Sequence, residues 1–142
     1  MNPNVPCLVL SRRLMKEVQV ASDRFARMHK YTYGSDVRAL TMKVWSLCTR
    51  AWQSKAHKGS LLSEALATLD ELKLSLQLGA DINAFSVNKY AELWRLAEDL
   101  GKQLGGWSKQ HPIGQNPVTQ RTEPPGRASI LSTPAASNEA TR

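Results

Sequence analysis

The side chains able to do chemistry are few in this 142-residue chain, and their spacing does not assemble a reaction centre. His29, His57 and His111 fall in predicted connections or past the last helix. None has a His, Cys or carboxylate three or four residues away on a helix, the spacing that zinc and di-iron sites need. Cys7 and Cys48 have no ligand spacing either, and in a reducing compartment they read as free thiols. Cys48 lies on an apolar stripe and reads as a buried structural thiol rather than a nucleophile. Asp70-Glu71 and Glu98-Asp99 are adjacent pairs, diverging by about 100° on a helix, so neither forms an acid/base dyad. Lys102-Gln103-Leu104-Gly105-Gly106 lacks the spacing of a phosphate-cradling loop and follows no strand. The expectation is a protein that is not an enzyme, with no metal and no cofactor.

Charge is the stronger signal. The chain carries 19 Lys+Arg against 12 Asp+Glu, a formal net charge of +7, and 42% hydrophobic residues, enough for a core. From Met1 to Ser60 there are 11 basic and 3 acidic residues, whereas Leu61 to Gln110 has 5 basic and 7 acidic. A basic half beside a mildly acidic one points to a polyanion-facing surface; a solvated basic face without a partner is the competing reading. No stretch approaches the ~18 apolar residues of a membrane span. The early apolar run Cys7–Leu10 is shorter than the ~7-residue core of a signal peptide. The expected compartment is the cytoplasm, with no membrane partner.

Four amphipathic segments are predicted to position these charges. Leu14, Val18, Ala21, Phe25 and Met28 alternate in steps of four and three, predicting a first helix over about 11–29 with Ser11 as N-cap. Gly34 suits a turn, and Ser35-Asp36 starts a second helix over about 35–55, with Val37, Leu40, Val44, Leu47 and Ala51 on its seam. Ser60 reads as the cap of a third helix over 60–82, whose stripe is Leu62, Ala65, Leu69, Leu72 and Leu76. Leu61, Leu66, Leu74 and Leu78 widen its apolar surface, and Gly79 weakens its end, where that costs least. Ser86 caps a fourth helix over 86–109, with Tyr90, Leu93, Ala97, Leu100, Leu104 and Trp107 in register. These periodicities and short connections predict an all-α, antiparallel up-down four-helix bundle over residues 1–110. Residues 111–142, rich in Pro, Ser, Thr and Asn, read as a disordered tail.

The polar faces then yield the candidate site. Arg12, Arg13, Lys16, Arg24 and Arg27 lie on the first helix, and Arg38, Lys43 and Arg50 on the second. Neighbouring helices carrying such rows are expected to form one cationic wall matched to phosphates. Tyr31 and Tyr33, beside Arg27 and Lys30, either stack an unpaired base or close the bundle end. Thr41, Trp45, Cys48 and Trp52 form a second apolar stripe, which places Trp45 and Trp52 in a deep bundle position or at a subunit interface. Gly101 and Gly105 share a helix face where another backbone approaches closely.

Three segments add a resemblance. Arg24-Phe25-Ala26-Arg27-Met28-His29-Lys30-Tyr31-Thr32-Tyr33-Gly34, Leu69-Asp70-Glu71-Leu72-Lys73 and Leu104-Gly105-Gly106-Trp107-Ser108-Lys109 resemble the Avd (accessory variability determinant) proteins of diversity-generating retroelements. The broader relative is the four-helix protein of intervening sequences in bacterial 23S ribosomal RNA genes. The resemblance spans roughly Leu10 to Gln110. It implies a homopentameric basic barrel that binds the retroelement's reverse transcriptase and its template-repeat RNA, or an RNA/DNA hybrid, during mutagenic cDNA synthesis. Carried onto this chain, the basic positions are Arg24, Arg27 and Lys30, with Lys73 on the third helix. Family members often have proline where Ala26 stands, so the first helix is expected to run on here. They often carry a second basic residue where this chain has Gln77, which weakens that patch. The alternative implied by the broader relative is a protein-interaction module without a dedicated RNA ligand.

Overall fold

Pro6 opens the first helix five residues ahead of the expected cap. Proline lacks the amide that a first-turn residue leaves unpaired anyway, and its fixed φ suits that position. A computed structural model describes residues 5–113. It contains α1 (Pro6–Ser22), the single turn α2 (Arg27–Lys30), α3 (Tyr33–Gln53), α4 (Lys58–Asp81) and α5 (Val87–Lys109). No strand occurs among the described residues. The segment expected to form a disordered tail lies, from residue 114 onward, outside the described residues.

Each long helix packs against two others, in the ring α1–α3–α4–α5 and back to α1. Residues 54–57 and 82–86 are too few to do more than reverse the chain, so consecutive long helices run antiparallel. The seams predicted from periodicity meet at the centre. Leu14, Val18, Val44, Leu47, Leu62, Leu69, Leu72, Leu76, Leu93, Leu100 and Leu104 are all removed from solvent. Burying each such side chain is worth about 1.5–3 kcal/mol relative to exposure. Leu74 and Leu78 do not join them and stand on the outer face of α4, 66% and 51% exposed.

The element ends depart from expectation for identifiable reasons. Ser11 is not a cap: it is buried within α1, and its hydroxyl donates to the Cys7 carbonyl at 2.6 Å. The first helix stops at Ser22 rather than running to residue 29, because Arg24 and Phe25 bond three residues back, to Ala21 and Ser22. That tighter turn carries Phe25 into the core and leaves Met28 exposed. Ala26 is extended, with φ −53° and ψ 147°, so it takes up a φ that proline would hold and the helix does not run on. Ser60 likewise lies inside the first turn of α4, donating to the His57 carbonyl. Ser86 is the cap it was expected to be, its hydroxyl accepting from the Lys89 amide at 3.1 Å. The end of α4 is a Schellman turn: Asn83 sits at φ 60°, and the amides of Asn83 and Ala84 bond the carbonyls of Ala80 and Gly79.

An aromatic cluster closes the end of the bundle where α1 stops and α3 begins. Phe25 and Tyr33 stack at 5.8 Å, and Phe85 meets Phe25 edge-on at 5.1 Å. The Tyr33 hydroxyl donates to the Ser75 carbonyl at 2.5 Å. Gly34 is therefore not a turn residue but a buried member of the first turn of α3, where an added Cβ would lie 3.1 Å from the His29 carbonyl and 3.2 Å from Phe25. Gly79 has a similar function. A Cβ there would collide with the Tyr33 hydroxyl and approach the Phe85 ring to 2.7 Å. Its helix-weakening cost is thus accepted for aromatic packing, not because the helix end makes it cheap. Gly79→Ala should destabilise the protein by about 1–3 kcal/mol despite alanine's better helix propensity, read as a lower urea midpoint. An unchanged or higher midpoint would show that the cluster does not depend on this gap.

Candidate nucleic-acid interface

The α3 row of the expected cationic wall is split, because Arg38 and the pair Lys43 and Arg50 face different ways. Arg38 faces α1, since its guanidinium donates to the Ser22 hydroxyl at 3.0 Å. Lys43 and Arg50 lie about 140° and 120° around α3 from it, on the side toward α4, at 100° per residue. On α1, Glu17 faces α5 through its ion pair with Lys89. Arg13, one turn earlier, shares that side.

The charges converge along the bundle axis instead. The chain reversal at 54–57 brings the start of α1, the end of α3, the start of α4 and the end of α5 to one end. The segments 5–16, 43–63 and 100–111 at this end contain no acidic residue, although Glu64 follows the second on α4 and Asp99 precedes the third on α5. They contain nine basic ones: Arg12, Arg13, Lys16, Lys43, Arg50, Lys55, Lys58, Lys102 and Lys109. All are exposed except Lys58, which is half-buried. The other described residues hold seven basic against ten acidic side chains. All three ion pairs among the described residues belong to that second set: Lys73–Glu98, Lys89–Glu17 and Lys89–Glu92. One end of the bundle therefore carries a strong excess of positive charge, and the rest is mixed.

Several expected site residues are reassigned by this geometry. Arg38 bonds Ser22 and, at 3.3 Å, the Lys30 carbonyl at the end of α2, so its guanidinium ties α1 and α2 to α3. Lys73 bonds Glu98 at 3.2 Å and sits 5.7 Å from the centre of the Trp94 ring, which leaves it engaged within the protein. Tyr33 closes the bundle end, whereas Tyr31 is 72% exposed. Arg24 and Arg27 are exposed, but on the turn and α2 rather than on a long helix, at the end opposite the cationic half. Gly101 meets only Leu69 and the Lys73 ammonium at ordinary contact distance, and Gly105 has no atom within 4 Å of an added Cβ. Neither glycine admits a close backbone within the protomer. Sequence inspection saw Lys55 and Lys58 only as extending the basic row past the end of the second helix, and passed over Lys102, Lys109 and Trp107 as site residues. Their signal was the lack of carboxylates in three separate segments.

Lys58 organises the tip of the cationic half. Its ammonium donates to the carbonyls of Ala51 and Trp52, at 2.7 and 3.4 Å, on the last turn of α3. It also lies 5.2 Å from the Trp107 ring centre and 5.9 Å from that of Trp52. A cation on the exposed carbonyls of a helix end is favoured by about 0.3–1 kcal/mol, and ring contacts add a similar amount. Desolvation there lowers the Lys58 pKa. Beside the two indoles an open cleft of about 360 Å³ runs between α1, α3 and α5, lined by Pro6, Cys7, Trp52, Lys102, Gln103, Gly106, Trp107 and Gln110. Trp45 is half-buried and Trp52 is 38% exposed.

The thiols face inward. Burial pushes Cys7 up from 9.0 to about 11 and Cys48 to about 12, so both remain protonated at neutral pH. Burial likewise raises Tyr33 from 10.0 to about 12. Among the described residues there is no group of three or more His, Cys, Asp or Glu side chains placed to hold a metal ion. No helix there is long and apolar enough to cross a membrane.

These three raised values set a pH dependence. A group whose folded pKa lies above its unfolded value stabilises the fold fully below the unfolded value and loses that contribution as pH rises through the folded one. Unfolding free energy should therefore hold level with respect to these groups up to about pH 9 and fall between pH 9 and 12. Both thiols should resist an aromatic disulfide reagent at pH 8 until denaturant is added. Rapid labelling of the native protein would refute the buried, protonated assignment.

Residues 9–111 match a family model described as bAvd-like. No curated protein matches the chain.

Proposed function

The chain belongs to the bAvd-like family, and on that premise we propose that it is a non-catalytic accessory protein of a diversity-generating retroelement. In this reading it binds template-repeat RNA, or an RNA/DNA hybrid, together with the reverse transcriptase, and supports mutagenic cDNA synthesis. The observation that carries the reading is the axial segregation of charge. Nine basic residues gather toward one end of the bundle with Glu64 and Asp99 only at their margin, and none of the nine takes part in the three ion pairs among the described residues. Self-repulsion disfavours such a cluster unless a polyanion neutralises it. Phosphates do so, with release of condensed counterions.

The mixed half is suited to a different partner. It exposes Met28 and Tyr31 beside Arg24, Arg27 and Lys30, a combination of apolar and basic side chains that suits a protein surface such as the polymerase. The homopentamer belongs to the same proposal. Leu74 and Leu78, one turn apart on the outside of α4, offer a more exposed apolar contact for it than Trp45 or Trp52.

Binding to single-stranded RNA should weaken linearly in log K against log salt, at roughly 0.7 per phosphate neutralised. Replacing Lys55, Lys102 and Lys109 together with alanine should flatten that slope by about 2, with the protein's mass in light scattering unchanged. The triple change Arg24→Ala, Arg27→Ala and Lys30→Ala should weaken capture of the reverse transcriptase more than it weakens RNA binding. An RNA affinity independent of salt would remove the basis of the proposal.

A further inference from the structure

An exposed tryptophan and a half-buried one beside a cluster of cations mark a place where a polyanion meets flat apolar surfaces. We propose that the cleft at the cationic tip is a base-stacking site for single-stranded nucleic acid, with Trp52 and Trp107 as the platforms. The inference rests on the nucleic-acid reading above and locates where an unpaired base is held. Proteins that bind single strands combine a positive groove with aromatic faces, because every base offers a π-face whatever its sequence.

Three observations carry it. Lys58 lies against both indoles while its ammonium is held by the Ala51 and Trp52 carbonyls, so the two rings share a fixed neighbour and line one cleft. That arrangement orders the platforms before any ligand arrives, which lowers the entropy of binding. The volume, about 360 Å³, lies in the range of small-molecule clefts, ~300–1,000 Å³. Lys102 stands at its rim for a phosphate, and the amides of Gln103 and Gln110 offer donors and acceptors to a base edge.

The glycine before Trp107 is the third observation. Gly106 lies inside α5, where glycine costs about 1 kcal/mol relative to alanine, yet an added Cβ would meet no atom within 4 Å. Nothing within the protomer requires glycine there. Gly106 lines the cleft, and the space beside it is open. The missing side chain keeps the space beside the indole open.

The partner class follows from charge. No carboxylate lines the cleft, and basic side chains outnumber the nearest acidic ones, Glu64 and Asp99, at this end of the bundle. An acidic polypeptide would share that attraction but brings a flat ring only at its occasional aromatic residues, whereas a single strand brings one at every nucleotide. The aromatic lining therefore selects nucleic acid.

The test titrates the full chain with a twelve-nucleotide oligouridylate, following tryptophan fluorescence and affinity across salt concentrations. Stacking should quench the wild-type emission. Trp52→Leu should remove the part of that quenching that Trp52 contributes, leaving that of Trp107, and weaken binding by roughly 5- to 150-fold, the range of one lost base–aromatic stack. Its salt slope should stay unchanged, because no phosphate contact is removed. Trp52→Phe should restore most of the affinity. Gly106→Leu, which adds bulk at the cleft and removes no packing, should weaken binding while leaving the urea midpoint equal or higher. Wild-type affinity in both Trp52→Leu and Gly106→Leu would overturn the site and leave the wider nucleic-acid reading standing. If the wild-type chain fails to bind the oligonucleotide at all, both readings fall. A Trp52→Leu protein of reduced mass in light scattering would assign Trp52 to a subunit contact and overturn the site. Equal displacement of the oligonucleotide by polyglutamate of matched charge would overturn it in favour of an acidic polypeptide.

Discussion

The aliphatic seam through the four long helices sets the rotation of each helix about its own axis. Leu14 and Val18 of α1, Val44 and Leu47 of α3, Leu69, Leu72 and Leu76 of α4, and Leu93, Leu100 and Leu104 of α5 all lose contact with water together. A helix rotated by one residue position, about 100°, would expose several of these at 1.5–3 kcal/mol each. No surface interaction in the molecule approaches that sum. The direction of every charged side chain therefore follows from where the leucines must go. Arg38 is turned toward Ser22, and Lys43 and Arg50 away from α1, for that reason.

The two ends of the bundle are finished by different physics. At one, Phe25, Tyr33 and Phe85 form an apolar cluster with a single buried hydroxyl, and Gly34 and Gly79 make room for it. At the other, Lys58 reaches from the first turn of α4 to the last carbonyls of α3, between two half-open tryptophans. The first arrangement excludes water and is a structural terminus. The second leaves aromatic surface and positive charge exposed together, which is the combination a nucleic acid recognises. The Gly-Gly-Trp ending belongs to this tip: Trp107 flanks Lys58, and Gly106 keeps the adjoining space clear.

Much of the fold was readable from periodicity. The stripes of α3, α4 and α5 lie in the core as spaced, and Ser86 caps α5 because nothing else competes for its hydroxyl. The errors cluster at helix ends, where short-range signals were ambiguous. Ser11 has a cap's residue type, but burial turned its hydroxyl back to the Cys7 carbonyl. Phe25 fits the first helix's stripe, yet reaches the core from a tight turn beyond that helix. Asn83 carried the sign of the α4 stop, a residue tolerant of positive φ, and it was missed. Of the candidate site, Trp52 and most of the basic residues were visible as types. Their grouping was not, since helix-by-helix inspection sought a wall along two neighbours.

Composition, periodicity and charge count belong to the chain itself, because each depends on residues close in sequence. They determined that this protein is helical, has a leucine-rich core and carries an excess of positive charge. Which charges stand together was decided only when the helices packed. Antiparallel reversal brings residues 5–16, 43–63 and 100–111 to the same end, although Lys58 and Trp107 are 49 positions apart in sequence. A local pattern cannot register such coincidence, since the distances concerned are set by burial of seams that share no sequence neighbourhood.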